Sequence, residues 1–258
     1  MSALFVTILR QAFKTFDRSN QNAFGTNFML LKQLTEQLTF RDIYVNQQLF
    51  AENIFDRPGK APCTFVNIFE NANVSMSVFV LRSGYTMPLH DHPMMHGILR
   101  GIHGNLKILS YSQQLAGPNE NLIYDKTARE IDVVAEETKF VSPETECAIL
   151  TPRERNFHEL TAVGGVAAFF DILSPPYDTN IPIYGTRKCR FFQTAPLLNT
   201  EIHVSTEQQL EHAQSTEAGT RLKLYCIPAP ESYYCDTAEA ADAVTDESNN
   251  GGEVLFAF

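Results

Sequence analysis

The sequence is poor in cysteine and in basic residues. Its five cysteines are widely and irregularly spaced, and no Cys-x-x-Cys pair occurs, which argues against a zinc ribbon and a disulfide framework. Unpaired cysteines favour a reducing compartment. The 20 Lys and Arg residues stand against 30 Asp and Glu, for a net charge of −10. Because binding to phosphate needs a basic surface, this charge argues against nucleic acid and anionic membranes as partners.

Long apolar runs are also lacking. The run Ala3–Leu9 is too short to span a membrane, and neither a basic segment nor a small-residue cleavage site marks it as a signal peptide. We therefore expect a cytoplasmic protein, with the nucleus as an additional location. A mitochondrial presequence is an alternative, because Arg10, Lys14 and Arg18 are present and no acidic residue precedes Asp17. P-loop, Gly-x-Gly-x-x-Gly and Gly-x-Ser-x-Gly motifs are missing too, so neither nucleotide binding nor serine hydrolysis is indicated.

Apolar and aromatic residues are plentiful, since 44% of the chain is hydrophobic and 19 residues are Phe. This composition predicts a sizeable core in one domain, with a helical extension over 1–62, a β-rich body over 63–235 and an acidic segment over 236–258. We expect the acidic segment to be solvated. Helical spacing predicts an amphipathic first helix and a second helix through Leu31 and Leu38. The apolar face of the first helix comprises Phe5, Ile8, Leu9, Ala12, Phe13 and Phe16.

Short β-like runs follow from about residue 63 onward. The run Val74–Val80 alternates apolar and small polar residues, which predicts a strand with one buried face. Many short strands without intervening helices are typical of a sandwich or a barrel. The further predicted strands are 97–102, 106–111, 130–134, 147–150, 158–163, 166–172, 189–193 and 222–227.

Three of the seven histidines fall within seven residues of one another. His90 and His92 point to the same side of an extended segment, so both can bind one metal ion. His158, at the head of a later strand, can supply a third imidazole. Three neutral imidazoles suit Zn, Cu, Fe or Ni without choosing among them, and ordinary surface or core histidines are the alternative. We expect His96 near such a site and His103 in an exposed turn.

Two segments carry a family resemblance. The segment Gly84–Gly104, with His90-Asp-His92, resembles the first cupin motif without the Glu that many cupins use as a further ligand. Together with Ala167-Ala-Phe-Phe-Asp-Ile-Leu-Ser-Pro-Pro-Tyr-Asp178, it resembles the cysteamine (2-aminoethanethiol) dioxygenase and plant cysteine oxidase family of thiol dioxygenases. The resemblance runs from the N-terminal helix past Pro228.

The resemblance implies a mainly β fold: a cupin-type double-stranded β-helix, or jelly-roll barrel, with the N-terminal helices packed on its outside. It implies one Fe(II) ion held by His90, His92 and His158, with O2 as co-substrate. The reaction converts the thiol of cysteamine, or of an N-terminal cysteine on a peptide or protein, into a sulfinic acid. Oxidation of an N-terminal cysteine further implies oxygen sensing through degradation of the marked protein.

The resemblance also places Asp171 and Tyr177 as candidate catalytic residues. Asp171 lies among apolar residues and needs a partner there, either a ligand histidine or the ammonium group of the substrate. The alternatives are an Asp at a strand end and a Tyr that anchors a turn. We expect Asp91 to point away from the histidines beside it and to support the turn.

Two departures from the family pattern bear on function. Some cysteamine dioxygenases carry Cys-x-Tyr where this chain has Cys189-Arg-Phe191, so a crosslink between that pair cannot form. The second cupin motif lacks its usual glycine before His158. A non-catalytic cupin module and a three-histidine enzyme with another metal or substrate therefore remain alternatives. As partners we expect an aminothiol or a Cys-initiated peptide, and we expect a monomer.

Overall fold

The computed structural model describes residues 2–17, 19, 21–114, 125–194 and 217–240. The helices are α1 (Ala3–Thr15) and α2 (Phe24–Thr35), with 3₁₀ turns at Gln21–Ala23, Phe40–Ile43, Gln47–Phe50 and Glu52–Ile54. The strands are β1 (Cys63–Glu70), β2 (Ser75–Leu81), β3 (Thr86–Asp91), β4 (His96–Gln113), β5 (Glu130–Ala135), β6 (Lys139–Val141), β7 (Ala148–Leu150), β8 (Phe157–Ser174), β9 (Asn180–Ile181), β10 (Gly185–Thr186), β11 (Phe191–Thr194), β12 (Arg221–Ile227) and β13 (Cys235–Glu239). None of the helices in these ranges is long and apolar enough to cross a membrane.

Six strands close into a barrel. β8 pairs with β3 and β4, β4 pairs with β5, and the ring closes through β12 and β11 back to β3. The first half of β4 and the second half of β8 extend beyond this ring and continue into a sheet with β2, β1, β13 and β7. This arrangement is the jelly-roll barrel of the cupin type, so the predicted fold class is confirmed.

β4 and β8 each run for 18 residues, where we expected two short strands apiece. Between the expected short strands lie glycines that let the paired long strands bend together. Gly104 has a φ of +62°, and a Cβ atom there would lie 2.2 Å from the carbonyl oxygen of Val166 on β8. Only glycine permits this close approach, which is typical of bends in β structure.

The two helices cover the outer face of the β1–β2–β8–β4 sheet. Ser2 caps α1 by accepting a hydrogen bond from the backbone N–H of Phe5 at 3.1 Å. Phe5 and Ile8 are fully buried, and the ring of Phe5 packs edge-on against that of Phe170 with their centroids 6.4 Å apart. The helices are therefore on the outside, as predicted. Phe13 departs from the predicted buried face, since 42% of it is exposed.

β2 is buried on both faces, although its alternation predicted one. Met76, Val78 and Val80 face the helices and are fully buried. Ser77 and Phe79 face an internal cavity instead of bulk solvent. The polar face of this strand therefore belongs to the interior of a site.

The C-terminal part of the described chain joins the sheet. β13 pairs in parallel with β1, so residues 236–239 are in a strand, where we expected the start of a solvated segment. The rest of that segment, 241–258, lies outside the described residues. The division of the chain at residues 62 and 235 stays a prediction.

Candidate metal centre and cavity

The structure brings together the three histidines that the sequence singled out. His90 in β3 is paired in register with His158 at the head of β8, and His92 follows one residue after β3. Their ring centroids lie 4.7 to 4.9 Å apart. One nitrogen from each ring lies within 4.8 Å of the other two. The antiparallel pairing of β3 with β8 thus explains how residues so distant in sequence converge.

Hydrogen bonds orient two of the rings. His90 Nδ1 donates to the carbonyl oxygen of Pro88 at 2.8 Å. The Tyr177 hydroxyl donates to the carbonyl oxygen of Asp91 at 2.6 Å and accepts from His92 Nδ1 at 3.0 Å. In both neutral rings the Nε2 atom therefore keeps its lone pair, as metal ligation requires.

Burial keeps these imidazoles neutral. The three residues are 3 to 7% exposed. Burial lowers the pKa of His90 to about 4 and the pKa values of His92 and His158 well below the usual range. His92 Nε2 lies 3.0 Å from His158 Nε2. Buried, neutral and converging nitrogen atoms fit a metal cation, so the site is one that can hold a metal ion.

Asp91 points away from the histidines, as expected, and forms a buried ion pair that the sequence did not predict. Its carboxylate accepts from the backbone N–H and from Nε of Arg190, both at 2.8 Å. Burial raises the pKa of Asp91 to about 6, and Arg190 opposes that rise. The pair fastens β3 to the segment that places Cys189 on the cavity wall. Residues 99 positions apart offer no sequence signal for such a pair.

The histidines line a cavity of about 540 Å³. It lies between the barrel and the inner face of the β1–β2–β8 sheet, and Tyr177 and Cys189 also line it. The described lining includes neither lysine nor arginine. Its carboxylates belong to Glu70, Asp171, Asp178 and Asp236. The cavity is therefore acidic around a cluster of neutral imidazoles.

Asp171 lies on the cavity wall in β8, beside Ser77 of β2. It is 7% exposed, and burial raises its pKa to about 7. No ion pair uses its carboxylate within the described ranges. A buried acid that faces a cavity without a cation is costly unless a ligand supplies the positive charge.

Two other histidines lie away from the cavity. His96, expected near the site, packs between the rings of Phe24 and Phe28, with centroids 4.7 and 5.8 Å away. His103, expected to be exposed, is stacked on Phe50 at 4.6 Å. Both expectations were wrong because the N-terminal segment covers this end of β4, which local sequence did not reveal.

Phe191, at which the sequence departs from the family pattern, packs beside His90. Its ring centroid lies 6.5 Å from that of His90 and 5.3 Å from that of Tyr233. Cys189 is half-buried and next to Tyr177, and burial raises the pKa of its thiol. This part of the site is therefore packed by aromatic rings and a protonated thiol.

A jelly-roll barrel that gathers three imidazoles in an internal cavity defines a metal-binding cupin. The family model described as PCO_ADO matches residues 34–244. The chain belongs to this family. The sequence is 32% identical over 213 residues to the 2-aminoethanethiol dioxygenase of Mus musculus, covering 75% of this chain and 80% of that protein.

Two further relatives agree with this assignment. The 2-aminoethanethiol dioxygenase of Homo sapiens is 32% identical over 228 residues, covering 75% of this chain and 81% of that protein. Plant cysteine oxidase 1 of Arabidopsis thaliana is 28% identical over 137 residues, covering 53% of this chain and 43% of that protein. The resemblance stated from the sequence is thereby confirmed.

Proposed function

We propose that the chain is a non-haem Fe(II) thiol dioxygenase. It uses O2 to oxidise the thiol of cysteamine, or of an N-terminal cysteine, to a sulfinic acid. The observation that carries this proposal is the convergence of three buried imidazoles in a cavity that also holds Asp171, an acid without an ion pair among the described residues. The names of the relatives, 2-aminoethanethiol dioxygenase and plant cysteine oxidase, support the same reaction.

His90, His92 and His158 would hold the metal. Because all three ligands are neutral, the 2+ charge of the ion stays available to favour a thiolate over a thiol. When bound, Fe(II) supplies the chemistry by which a thiolate and O2 combine. The absence of a carboxylate from this ligand set is consistent with a substrate that brings its own negative charge.

The side chains around the triad would position the substrate. Tyr177 holds His92 in the tautomer that binds metal. Asp171 would accept a hydrogen bond from the ammonium group that lies two carbons from the reacting sulfur. A charge-assisted hydrogen bond of this kind fixes orientation and stabilises the buried carboxylate. Apolar side chains such as Leu160 and Phe169 limit the access of water.

Mass spectrometry tests the reaction and the size of the substrate together. The Fe(II)-loaded protein is incubated in air with cysteamine and, separately, with a Cys-initiated peptide. We expect a mass gain of two oxygen atoms on sulfur, and O2 consumption only when substrate is present. A His158→Ala variant should lose both metal and activity. O2 uptake without a sulfinate product would contradict the proposal, as would equal iron content in parent and variant.

We also propose a monomeric cytoplasmic enzyme that contributes to oxygen sensing. The free state of all five cysteines supports a reducing compartment. Sulfinylation of an N-terminal cysteine would mark a protein for degradation in proportion to O2. Light scattering of the purified protein checks that it is a monomer, and immunolocalisation of the full chain checks that it is cytoplasmic. The half-life of a Cys-initiated reporter at low and ambient O2 checks the contribution to oxygen sensing.

A further inference from the structure

The cavity wall contains a row of polar side chains that crosses three strands. Asp171 in β8 is paired with Ser77 in β2, and Ser77 is paired with Asn67 in β1. All three residues line the cavity. On one side of this row lies an aromatic row, formed by Phe65, Phe79 and Phe169. A polar row across an inner sheet face is unusual because such faces normally pack apolar side chains.

The polar row has unused hydrogen-bonding capacity. Ser77 is only 8% exposed, and its hydroxyl makes no hydrogen bond to the described residues. Asn67 is exposed, and its side-chain amide likewise makes no hydrogen bond to the described residues. A polar ligand can therefore bind these groups without breaking a hydrogen bond between described side chains.

The outer end of the row is acidic. Glu70 follows in β1, and both Glu70 and Asp178 line the cavity. Asp178 forms an ion pair with Lys188, and Asp236 forms one with Lys60. In the described ranges no cation lies within ion-pair distance of Glu70. Partial burial, followed by the nearby charge of Asp178, raises the pKa of Glu70.

We propose that this polar row, with Glu70 at its end, is a subsite for the peptide that follows an N-terminal cysteine, and that it selects Lys or Arg at the second or third position. The inference rests on the proposed function and deepens it. The amine of the first residue binds at Asp171, and its thiol faces the histidines. The following backbone crosses Ser77 and Asn67 towards Glu70.

Dimensions support a peptide in this position. The backbone of Glu70 lies roughly 12 Å from that of Asp171. This distance follows from two strand spacings, from β8 to β2 to β1, and about two residues along β1. One or two extended residues and a long basic side chain cover this distance. The cavity volume of about 540 Å³ lies in the range that holds ligands much larger than cysteamine.

The test compares two peptides that differ only in charge at the second and third residues, Cys-Lys-Lys and Cys-Glu-Glu, each followed by the same neutral tail. For the parent we expect kcat/KM to favour the lysine peptide by roughly tenfold. Glu70→Gln should reduce this preference, and Glu70→Lys should reverse it. Glu137→Gln is the matched control, because Glu137 is exposed and does not line the cavity, and it should keep the parent preference.

A second variant tests the row itself. Ser77→Ala removes the hydroxyl and adds no atoms to the cavity, so KM for both peptides should rise several-fold while kcat changes less. Thermal unfolding of each variant checks that the fold is retained. Anaerobic binding constants for the two peptides give the same preference without turnover.

The outcomes separate the two proposals. If neither cysteamine nor peptide is oxidised, the proposed function is wrong, and the anaerobic constants still decide on the subsite. If peptides are oxidised without a charge preference, or if Glu70→Lys leaves the preference unchanged, the subsite is refuted while the function stands.

Discussion

His92 uses both of its ring nitrogens, one towards the metal site and one towards the Tyr177 hydroxyl. The hydroxyl donates its only proton to the carbonyl oxygen of Asp91, so towards His92 it can only be a hydrogen-bond acceptor. A partner behind a ligand histidine sets the tautomer and the angle of the ring. Tyr177 would therefore influence metal binding through the orientation of His92.

Removal of that hydroxyl should weaken metal binding. In Tyr177→Phe the ring stays but the acceptor for His92 Nδ1–H is lost, so we expect metal affinity to fall by about 10- to 100-fold. Competition with a chromophoric chelator measures this change without turnover. Tyr44→Phe, at an exposed position, is the control. Equal affinity in Tyr177→Phe and parent would show that the hydroxyl only anchors the turn.

Asp171 should cost stability when it is ionised. Its pKa is raised from 3.8 to about 7, so the unfolded state ionises first as the pH rises. Stability from this group is therefore lost between about pH 4 and pH 7. The Asp171→Asn variant has no carboxyl to ionise at this position. We therefore expect the metal-free variant to be more stable than the metal-free parent at pH 8, by up to about 4 kcal/mol in unfolding free energy.

Urea unfolding at pH 5 and pH 8 measures this difference, which should grow with pH. Asp56→Asn is the control, because Asp56 is exposed. The same substitution should raise KM for aminothiols, since the partner of the ammonium group is gone. A gap between variant and parent that does not depend on pH would contradict the burial of charge at this position.

At the scale of elements, periodicity predicted strands and helices well but not their continuity. The alternation in Val74–Val80 and the helical spacing near the N-terminus both matched elements of the structure. A turn was expected at His103, whereas the neighbouring Gly104 lets β4 approach β8 closely. Such contacts depend on a distant strand, so local sequence could not reveal them.

The site divides in the same way. His90 and His92 were predictable because neighbours at i and i+2 share a face. The position of His158 at the head of a strand suggested it as the third ligand, and family resemblance supported that choice and supplied Asp171 and Tyr177. Ser77 and Glu70 were not singled out, since a small polar residue in a strand normally faces solvent. The alternation of apolar and polar residues in β2 did indicate a polar face. Only the structure shows that this face is covered and lines a cavity.

α2 depends on an uncharged histidine. His96 begins β4 and packs against Phe24 and Phe28, and burial lowers its pKa from 6.5 to about 4. The folded state therefore takes up this proton later than the unfolded state does. The resulting stability is complete above pH 6.5 and is lost as the pH falls towards 4.

A His96→Leu variant should lack this dependence. Between pH 7.5 and pH 4.5 we expect the parent to lose about 2 kcal/mol more unfolding free energy than the variant does. Urea unfolding followed by far-UV circular dichroism measures it, and the other histidines cancel in the comparison. His103→Leu is a control with a smaller expected effect, because Glu52 opposes the lowering of its pKa. Parallel pH profiles for parent and His96→Leu would contradict this assignment.

At the scale of the whole molecule, the charge of the chain and the charge of the cavity have the same sign. The net charge is −10, and the described cavity lining holds four carboxylates and no lysine or arginine. Clefts lined by one sign of charge concentrate ligands of the opposite sign and raise association rates. An enzyme with this distribution should capture basic peptides faster than neutral ones, even before any contact with Glu70.

The final prediction concerns salt. Raising the salt concentration from about 0.01 M to about 1 M shortens the Debye length from about 30 Å to about 3 Å, so attraction across solvent is lost. We expect kcat/KM for a Cys-Lys-Lys peptide to fall at least several-fold, and that for a Cys-Gly-Gly peptide to fall less. Initial-rate measurements of O2 uptake with both peptides give the two slopes. Identical slopes would show that only the N-terminal amine senses the field, and that the acidic surface of the molecule contributes nothing to the choice of substrate.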